Sequence, residues 1–216
     1  MNQRTRIKIC GVTQPADVDV AVDAGADAIG LVFHPDSPRH VTLATAAALA
    51  RRLPPFVTPV GLFVNAGRAS IDAVLAAIPT LLLQFHGDES PADCDAFARP
   101  YLRAARMAAG FDLLEFDCRF SGAQALLLDA HAPGYGGSGK VFDWSLVPAG
   151  VAQRRLVLSG GLHAANVAAG MAQLRPWAVD VSSGVESSRG VKDPAAIRRF
   201  CDAVRDADAR IDATPT

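Results

Sequence analysis

Short apolar runs alternate with helical segments along nearly the whole chain, and this alternation limits the folds open to it. The runs are rich in β-branched and other apolar residues and stop at glycine, proline or polar residues, which is typical of buried strands. The eight predicted strands lie in the runs 6–12, which stops as a strand at Gly11, 28–33, 59–64, 81–86, 101–107 and 125–129, with the last two beginning at Leu156 and Val179. Eight such units predict an α/β fold, a closed parallel (β/α)8 TIM barrel, with a doubly wound open sheet as the alternative.

No break in composition divides the 216 residues. We therefore expect one catalytic barrel domain over residues 1–210 and a disordered tail over 211–216. Half of the residues are hydrophobic and the formal net charge is −1, which gives no reason to expect nucleic acid or an anionic membrane as a partner. No apolar run approaches the length of a membrane span, and we see no signal peptide. No large apolar surface is evident, so we expect a monomer rather than a homodimer.

The four cysteines show neither Cys-x-x-Cys spacing nor histidine partners at zinc-finger intervals. We therefore expect a reduced, cytoplasmic protein without a metal site. Cys94 and Cys201 lie on predicted apolar helix faces and are assigned to the core, whereas Cys118 falls in a segment predicted to be irregular. Cys10 differs from the other three because it ends a predicted strand.

Two similar turns follow the seventh and eighth strands, one βα unit apart. Each apolar run ends in serine and glycine, and such small residues allow backbone N–H groups to converge on an anion. In barrels, the loops after strands 7 and 8 frequently hold a phosphate group. The residues predicted to bind phosphate are Ser159, Gly160, Gly161, Ser182, Ser183 and Gly184.

Few reactive side chains lie at the predicted strand ends, where barrel enzymes place their catalytic groups. Cys10 ends the first strand and Asp129 the sixth, while His86 ends the fourth and is assigned a supporting role. Arg39 lies in the loop after the second strand. Because strands 1 and 6 face each other across the barrel mouth, Cys10 and Asp129 would lie on opposite sides of a bound substrate. That arrangement suits removal of a proton on one side and delivery of a proton on the other.

A glycine-rich loop, Gly-Tyr-Gly-Gly-Ser-Gly-Lys, occupies residues 134–140 after the sixth strand. It fits the first part of a P-loop, but Val141 stands where a Mg²⁺-binding serine or threonine is needed, and no clear helix follows. We therefore reject a nucleotide site. The loop is predicted to be a flexible lid over the barrel mouth, with Gly136 and Gly137 close to the substrate.

These motifs, in this order and at barrel spacing, resemble those of the phosphoribosylanthranilate isomerase family of tryptophan biosynthesis. The resemblance extends over almost the whole chain. The markers are Lys8-Ile-Cys-Gly-Val-Thr13, Ser37-Pro-Arg39, Gly61-Leu-Phe-Val-Asn65, Leu83-Gln-Phe-His-Gly87, Leu127-Leu-Asp129, Tyr135-Gly-Gly-Ser-Gly-Lys140, Leu158-Ser-Gly-Gly161 and Asp180-Val-Ser-Ser-Gly-Val-Glu186.

The resemblance implies an Amadori rearrangement by general acid–base catalysis, with neither a metal nor an organic cofactor. N-(5-phosphoribosyl)anthranilate would become 1-(2-carboxyphenylamino)-1-deoxyribulose 5-phosphate. By resemblance, Asp129 is the general acid that opens the ribose ring, and Cys10 is the general base that removes the C2′ proton. Arg39 would hold the anthranilate carboxylate, and the turns after strands 7 and 8 would hold the phosphate.

Lys8 and Asp180 are expected to support the base. Lys8 lies two residues before Cys10 on the same strand, so both side chains should point into the barrel. A free thiol is only a small fraction thiolate at neutral pH, and a Lys8 ammonium shared with Asp180 would lower the pKa of Cys10. The alternative is that Lys8 pairs with Asp180 only to hold the barrel closed.

Two other functions compete with this one. A related isomerase of histidine biosynthesis performs the same rearrangement on a different aminoaldose, but an aspartate is expected there at the position of Cys10. A non-catalytic phosphate-binding barrel would leave both Cys10 and Asp129 unexplained. The residue at position 10 therefore discriminates among the three functions.

Overall fold

Eight parallel strands close into a barrel in the computed structural model, which describes residues 4–130, 141–148, 151 and 155–213. In chain order the strands are β1 (Arg6–Cys10), β2 (Ala28–Val32), β3 (Thr58–Phe63), β4 (Leu82–Phe85), β5 (Tyr101–Met107), β6 (Ala125–Ala130), β7 (Leu156–Leu158) and β8 (Ala178–Val181). Each strand pairs in parallel with its successor, and β8 pairs with β1. The predicted barrel is confirmed, and the open-sheet alternative is wrong.

Seven α-helices follow the strands within the described ranges. They are α1 (Pro15–Asp23), α2 (Leu43–Ala50), α3 (Arg68–Ala77), α4 (Pro91–Asp95), α5 (Leu113–Arg119), α6 (Val167–Leu174) and α7 (Pro194–Ala213). Local sequence explains their placement: Thr42 caps α2 by accepting from the Thr45 N–H, and Ser90 begins α4 with a capping box. None of the helices in the described ranges is both long enough and apolar enough to cross a bilayer.

The structure corrects several predicted boundaries. Strand β1 ends at Cys10 because Gly11 adopts a left-handed φ of 72°. Cys118 lies in α5 and is exposed, rather than in an irregular segment, since Asp112 caps this short helix and Leu113 anchors it in the core. Helix α7 continues to Ala213, so residues 211–213 are helical and not part of a tail. Between Pro194 and that point the helix contains neither glycine nor a second proline to interrupt it.

An antiparallel hairpin that the sequence analysis did not predict follows β8. Its strands are β9 (Glu186–Ser188) and β10 (Val191–Lys192), joined through Gly190, which has a φ of 84°. The predicted lid at 133–140 lies outside the described residues.

Alternation of side chains along β1 divides its residues between two environments. Ile7 and Ile9 belong to the large apolar core, whereas Lys8 and Cys10 are buried but lie outside that core. A smaller apolar cluster that includes Val60, Leu102, Ala125, Val157 and Ala178 draws on strands around the barrel. Polar side chains that alternate with the core positions are therefore available to build a site inside the barrel.

Candidate active site

A cavity of about 400 Å³ lies at the C-terminal ends of the barrel strands. Its size is that of a pocket for a small molecule. The predicted residues that line it are Cys10, Arg39, His86, Asp129, Ser159, Gly160, Asp180, Ser182 and Ser183. Lys8, Gly161 and Gly184 are not in its lining, and Gly136 and Gly137 lie outside the described residues.

Cys10 occupies a defined position on one wall of this cavity. A Cβ atom on Gly30 of β2 would lie only 2.6 Å from Cys10 Sγ, so the glycine provides the space that the sulfur occupies. Cys10 is 4% exposed and belongs to an apolar cluster with Val32, Leu62 and Val64. These contacts orient the thiol and limit its access to water.

Burial and charged neighbours act on the Cys10 thiol in opposite directions. Burial raises the pKa of Cys10, and the Lys8 ammonium lowers it without cancelling the effect of burial, so the pKa remains above its ordinary value. Lys8 Nζ donates to Asp180 Oδ1 at 2.8 Å, and both side chains are buried. Burial lowers the pKa of Lys8, but Asp180 and Cys10 outweigh it and the pKa is raised. Lys8 therefore stays charged, favours the thiolate and also links β1 to β8.

Removing the Lys8 charge should raise the pKa of Cys10 further. In Lys8→Met, the ammonium that favours the thiolate is lost while the Asp180 carboxylate, which opposes the thiolate, remains. In Asp180→Asn, the opposing carboxylate is lost and the pKa should fall. The measurement is the rate of Cys10 alkylation against pH, with the exposed Cys118 replaced by serine in every protein. Unchanged thiol pKa values in both variants, with native circular dichroism, would leave the pair a purely structural role.

Asp129 lies near the end of β6 and lines the same cavity as Cys10. Its Oδ2 is 3.1 Å from His86 Nε2, and its Oδ1 accepts from the Ala130 N–H at 2.9 Å. The other ring nitrogen, His86 Nδ1, lies 3.1 Å from Gln84 Nε2. With the amide in this orientation, Nδ1 accepts from Gln84, so Nε2 carries the hydrogen and donates to Asp129. Gln84 and His86 thus orient the carboxyl group of Asp129.

Arg39 forms a buried, bidentate ion pair with Glu186 of β9. Arg39 Nε and Nη2 donate to the two carboxylate oxygens at 2.6 and 2.8 Å. Lys192 Nζ donates to Glu186 Oε1 at 2.9 Å and to the Ser182 carbonyl at 3.0 Å. Burial raises the pKa of Glu186, but Arg39 and Lys192 outweigh it, so the pKa is lowered and the carboxylate stays ionised. Arg39 therefore has only its Nη1–Nη2 edge left for a ligand.

The two predicted phosphate turns pack against each other. A Cβ atom on Gly184 would lie 1.9 Å from the Leu162 carbonyl oxygen, so the turn after β8 requires glycine at this point. Within the described residues, the backbone N–H groups of Gly160, Gly161, Ser183 and Gly184 donate to no acceptor. Free N–H groups on adjacent turns form an anion-binding surface.

Ser159 has a different environment from the glycines that follow it. Its N–H donates to the Leu128 carbonyl at 2.9 Å, and its hydroxyl donates to Asp180 Oδ2 at 3.2 Å. Both donors of Ser159 are thus used within the protein. The hydroxyl satisfies the Asp180 oxygen that Lys8 does not reach.

Gln84, Glu186 and Lys192 belong to the site but were not predicted from the sequence. Gln84 and Glu186 occur in the quoted motifs, but a motif does not reveal which side chain each residue contacts. No sequence signal identifies Lys192, because its position depends on the β9–β10 hairpin. In the parts of the chain that the structure describes, no group of three or more His, Cys, Asp or Glu side chains could hold a metal ion.

Known proteins resemble this chain over almost its whole length. A profile of the N-(5'-phosphoribosyl)anthranilate (PRA) isomerase family matches residues 7–203. The chain is 71% identical over 211 residues to N-(5'-phosphoribosyl)anthranilate isomerase of Methylibium petroleiphilum. This alignment covers 98% of this chain and 99% of that protein.

Solved structures show the same similarity. Phosphoribosyl anthranilate isomerase from Thermotoga maritima superposes with a TM-score of 0.86 at 39% identity, covering 94% of this chain and 99% of that one. A phosphoribosyl anthranilate isomerase crystallised with reduced 1-(o-carboxyphenylamino)-1-deoxyribulose 5-phosphate has a TM-score of 0.82 at 36% identity, with coverages of 94% and 99%.

Proposed function

The chain belongs to the N-(5'-phosphoribosyl)anthranilate isomerase family, and from that premise we propose that Cys10 is its general base and Asp129 its general acid. Its activity is the isomerisation of N-(5'-phosphoribosyl)anthranilate in tryptophan biosynthesis. One observation carries the assignment of roles: Cys10 and Asp129 line the same cavity from the ends of β1 and β6.

The proposed reaction consists of two proton transfers. Asp129, in its protonated form, gives a proton to the furanose ring oxygen, the C1′–O bond breaks, and a Schiff base forms with the anthranilate nitrogen. The Cys10 thiolate then removes the proton from C2′, which yields an enolamine that tautomerises to the ketone. The apolar wall around Cys10 suits a step at carbon, because water competes little there. His86 holds the Asp129 carboxyl in place.

The phosphate of the substrate is proposed to bind at the two turns after β7 and β8. The unbonded N–H groups of Gly160, Gly161, Ser183 and Gly184 support this placement, together with the close packing of the turns. Ser159 and Ser182 are adjacent to these groups in the cavity lining, and Ser182 is held by Lys192. Backbone donors at such a nest bind phosphate without a metal ion.

Arg39→Ala should raise KM by about tenfold to a hundredfold with a smaller change in kcat, because the variant loses charge-assisted hydrogen bonds to the anthranilate carboxylate. Glu186 binds the Nε–Nη2 edge of Arg39 and thereby leaves the Nη1–Nη2 edge available to the substrate, which supports this role. Steady-state kinetics with the wild-type protein as reference provides the measurement. A wild-type KM in the folded variant would contradict the clamp.

The direct test of the function is to mix the protein with freshly prepared N-(5'-phosphoribosyl)anthranilate and follow the loss of anthranilate-type fluorescence. We expect turnover that a metal chelator does not change, because no cofactor is required. The aminoaldose substrate of the histidine-pathway isomerase serves as the specificity control. Turnover of that compound alone would favour the related isomerase, and turnover of neither would favour a non-catalytic barrel.

A cytoplasmic location and a monomeric state belong to the same proposal. All four cysteines are free thiols, which supports a reducing compartment. Large exposed apolar side chains in the described ranges are scattered over different elements, as with Leu43, Leu114 and Val191, and Phe56 is fully exposed. Light scattering on the purified protein distinguishes one chain from two.

A further inference from the structure

Arg189, at the tip of the β9–β10 hairpin, lines the same cavity as Cys10 and Asp129. Arg39 and Arg189 are the two cationic side chains in the described lining, beside the carboxylates of Asp36, Asp129 and Asp180. Under the proposed function, the substrate brings a carboxylate and a phosphate into this cavity. Because carboxylates outnumber arginines in the described lining, each arginine is important for binding these two anions.

The other described cations near the cavity are already paired. Arg39 uses Nε and Nη2 on Glu186, and Lys192 Nζ is shared between Glu186 and Ser182. Lys8 Nζ is bonded to Asp180. Arg189 is exposed and makes no hydrogen bond or ion pair with any described residue. It is therefore available to an incoming anion without the loss of a contact to any of the described residues.

The hairpin is anchored against the loop that carries Arg39. The Gly190 N–H donates to Glu186 Oε2 at 3.1 Å, the oxygen that also accepts from Arg39. A Cβ atom on Gly190 would lie 2.8 Å from the Pro38 carbonyl oxygen, so the hairpin backbone and the residue before Arg39 are in close contact. Arg189 and Arg39 thus belong to one connected part of the cavity rim.

We propose that Arg189 is a second ligand for the substrate's aromatic carboxylate and a specificity-determining residue, acting with the free edge of Arg39. Glu186 occupies the other edge of Arg39 and cancels part of its charge, which leaves Arg39 incomplete as the sole carboxylate clamp. The phosphate is bound by backbone N–H groups, so the two anions of the substrate are recognised by different donors. This inference rests on the proposed function.

The experiment compares two ligands that differ only in the carboxylate. One is reduced 1-(o-carboxyphenylamino)-1-deoxyribulose 5-phosphate, and the other is the corresponding phenylamino compound without the carboxylate. Kd is measured by calorimetry for wild type, Arg189→Ala and Arg189→Lys. The matched control is Arg52→Ala, which removes an exposed arginine paired with Asp19 and outside the cavity lining.

Arg189→Ala should weaken the carboxylate ligand about tenfold and the other ligand less than about twofold, and KM should rise about tenfold with little change in kcat. Arg189→Lys should recover part of the affinity, and Arg52→Ala should match wild type. An equal loss of affinity for both ligands would assign Arg189 to the phosphate or to general electrostatic attraction. No loss would mean that Arg189 has no binding role. Either result overturns the proposal. Failure of the proposed function itself would differ, because the wild-type protein would then not turn over the substrate.

Discussion

Cys10→Ala should lower kcat by about 10²- to 10⁴-fold, the usual contribution of one general acid or base. The substitution removes a single sulfur atom from a small apolar cluster beside Gly30, so the barrel should remain folded. Stopped-flow or steady-state fluorescence assays measure the rate, and circular dichroism verifies the fold. Cys201→Ala is the matched control, since that thiol is also buried but lies in α7 outside the cavity lining.

The pH profile gives an independent check on the same group. The base must be thiolate, and burial raises the pKa of Cys10. In Asp129→Asn, where turnover needs no protonated carboxyl group, the residual kcat/KM should therefore increase with pH up to the raised thiol pKa, and thiol alkylation should titrate together with it. Near-normal turnover in Cys10→Ala, or a rate profile that does not follow alkylation, would remove Cys10 from the proton transfer.

Asp129→Asn should cause a comparable loss of kcat, because an amide keeps the shape of the side chain but does not act as a proton donor at neutral pH. The surrounding groups can accommodate the amide. His86 can switch tautomer and accept from it, and Gln84 Oε1, which is buried without a partner, can accept from His86 Nδ1 after rotation of the Gln84 amide.

A His86→Gln variant separates chemistry from positioning at this site. If Asp129 is the acid and His86 orients it, His86→Gln should reduce kcat less than Asp129→Asn does, with both proteins folded. A change confined to KM in Asp129→Asn would instead indicate that Asp129 positions the substrate and that another group supplies the proton.

Much of the fold could be predicted because its signals are local. Strand β5 is predicted with the observed bounds, Tyr101–Met107, although Arg103 and Arg106 interrupt its apolar pattern. Arg103 is accommodated because its guanidinium donates to the Phe85 and Gly87 carbonyls and lies 4.7 Å from the Phe120 ring. The short helix α5 was missed, since seven residues carry too little periodicity to distinguish it from a loop.

For the site, the sequence predicts only which strand ends carry reactive groups. The chain order puts Cys10 and Asp129 at strand ends, but it does not show that Gly30 makes room for the sulfur or that Gln84 and His86 orient the acid. The hairpin that brings Glu186 and Lys192 to Arg39 consists of two very short strands, which leave almost no alternation to detect.

By itself, the sequence determined the eight-stranded barrel, the positions of Cys10 and Asp129 at the mouth, and the two glycine turns that suit a phosphate. These follow from periodicity and turn chemistry over a few residues at a time. The pairing of Lys8 with Asp180 across 172 residues was expected from the closed strand order, but only the tertiary structure decided that Arg39 pairs with Glu186 across 147. Such contacts arise when the barrel closes β8 onto β1, and the resulting burial, rather than any local pattern, sets the charge state of each group.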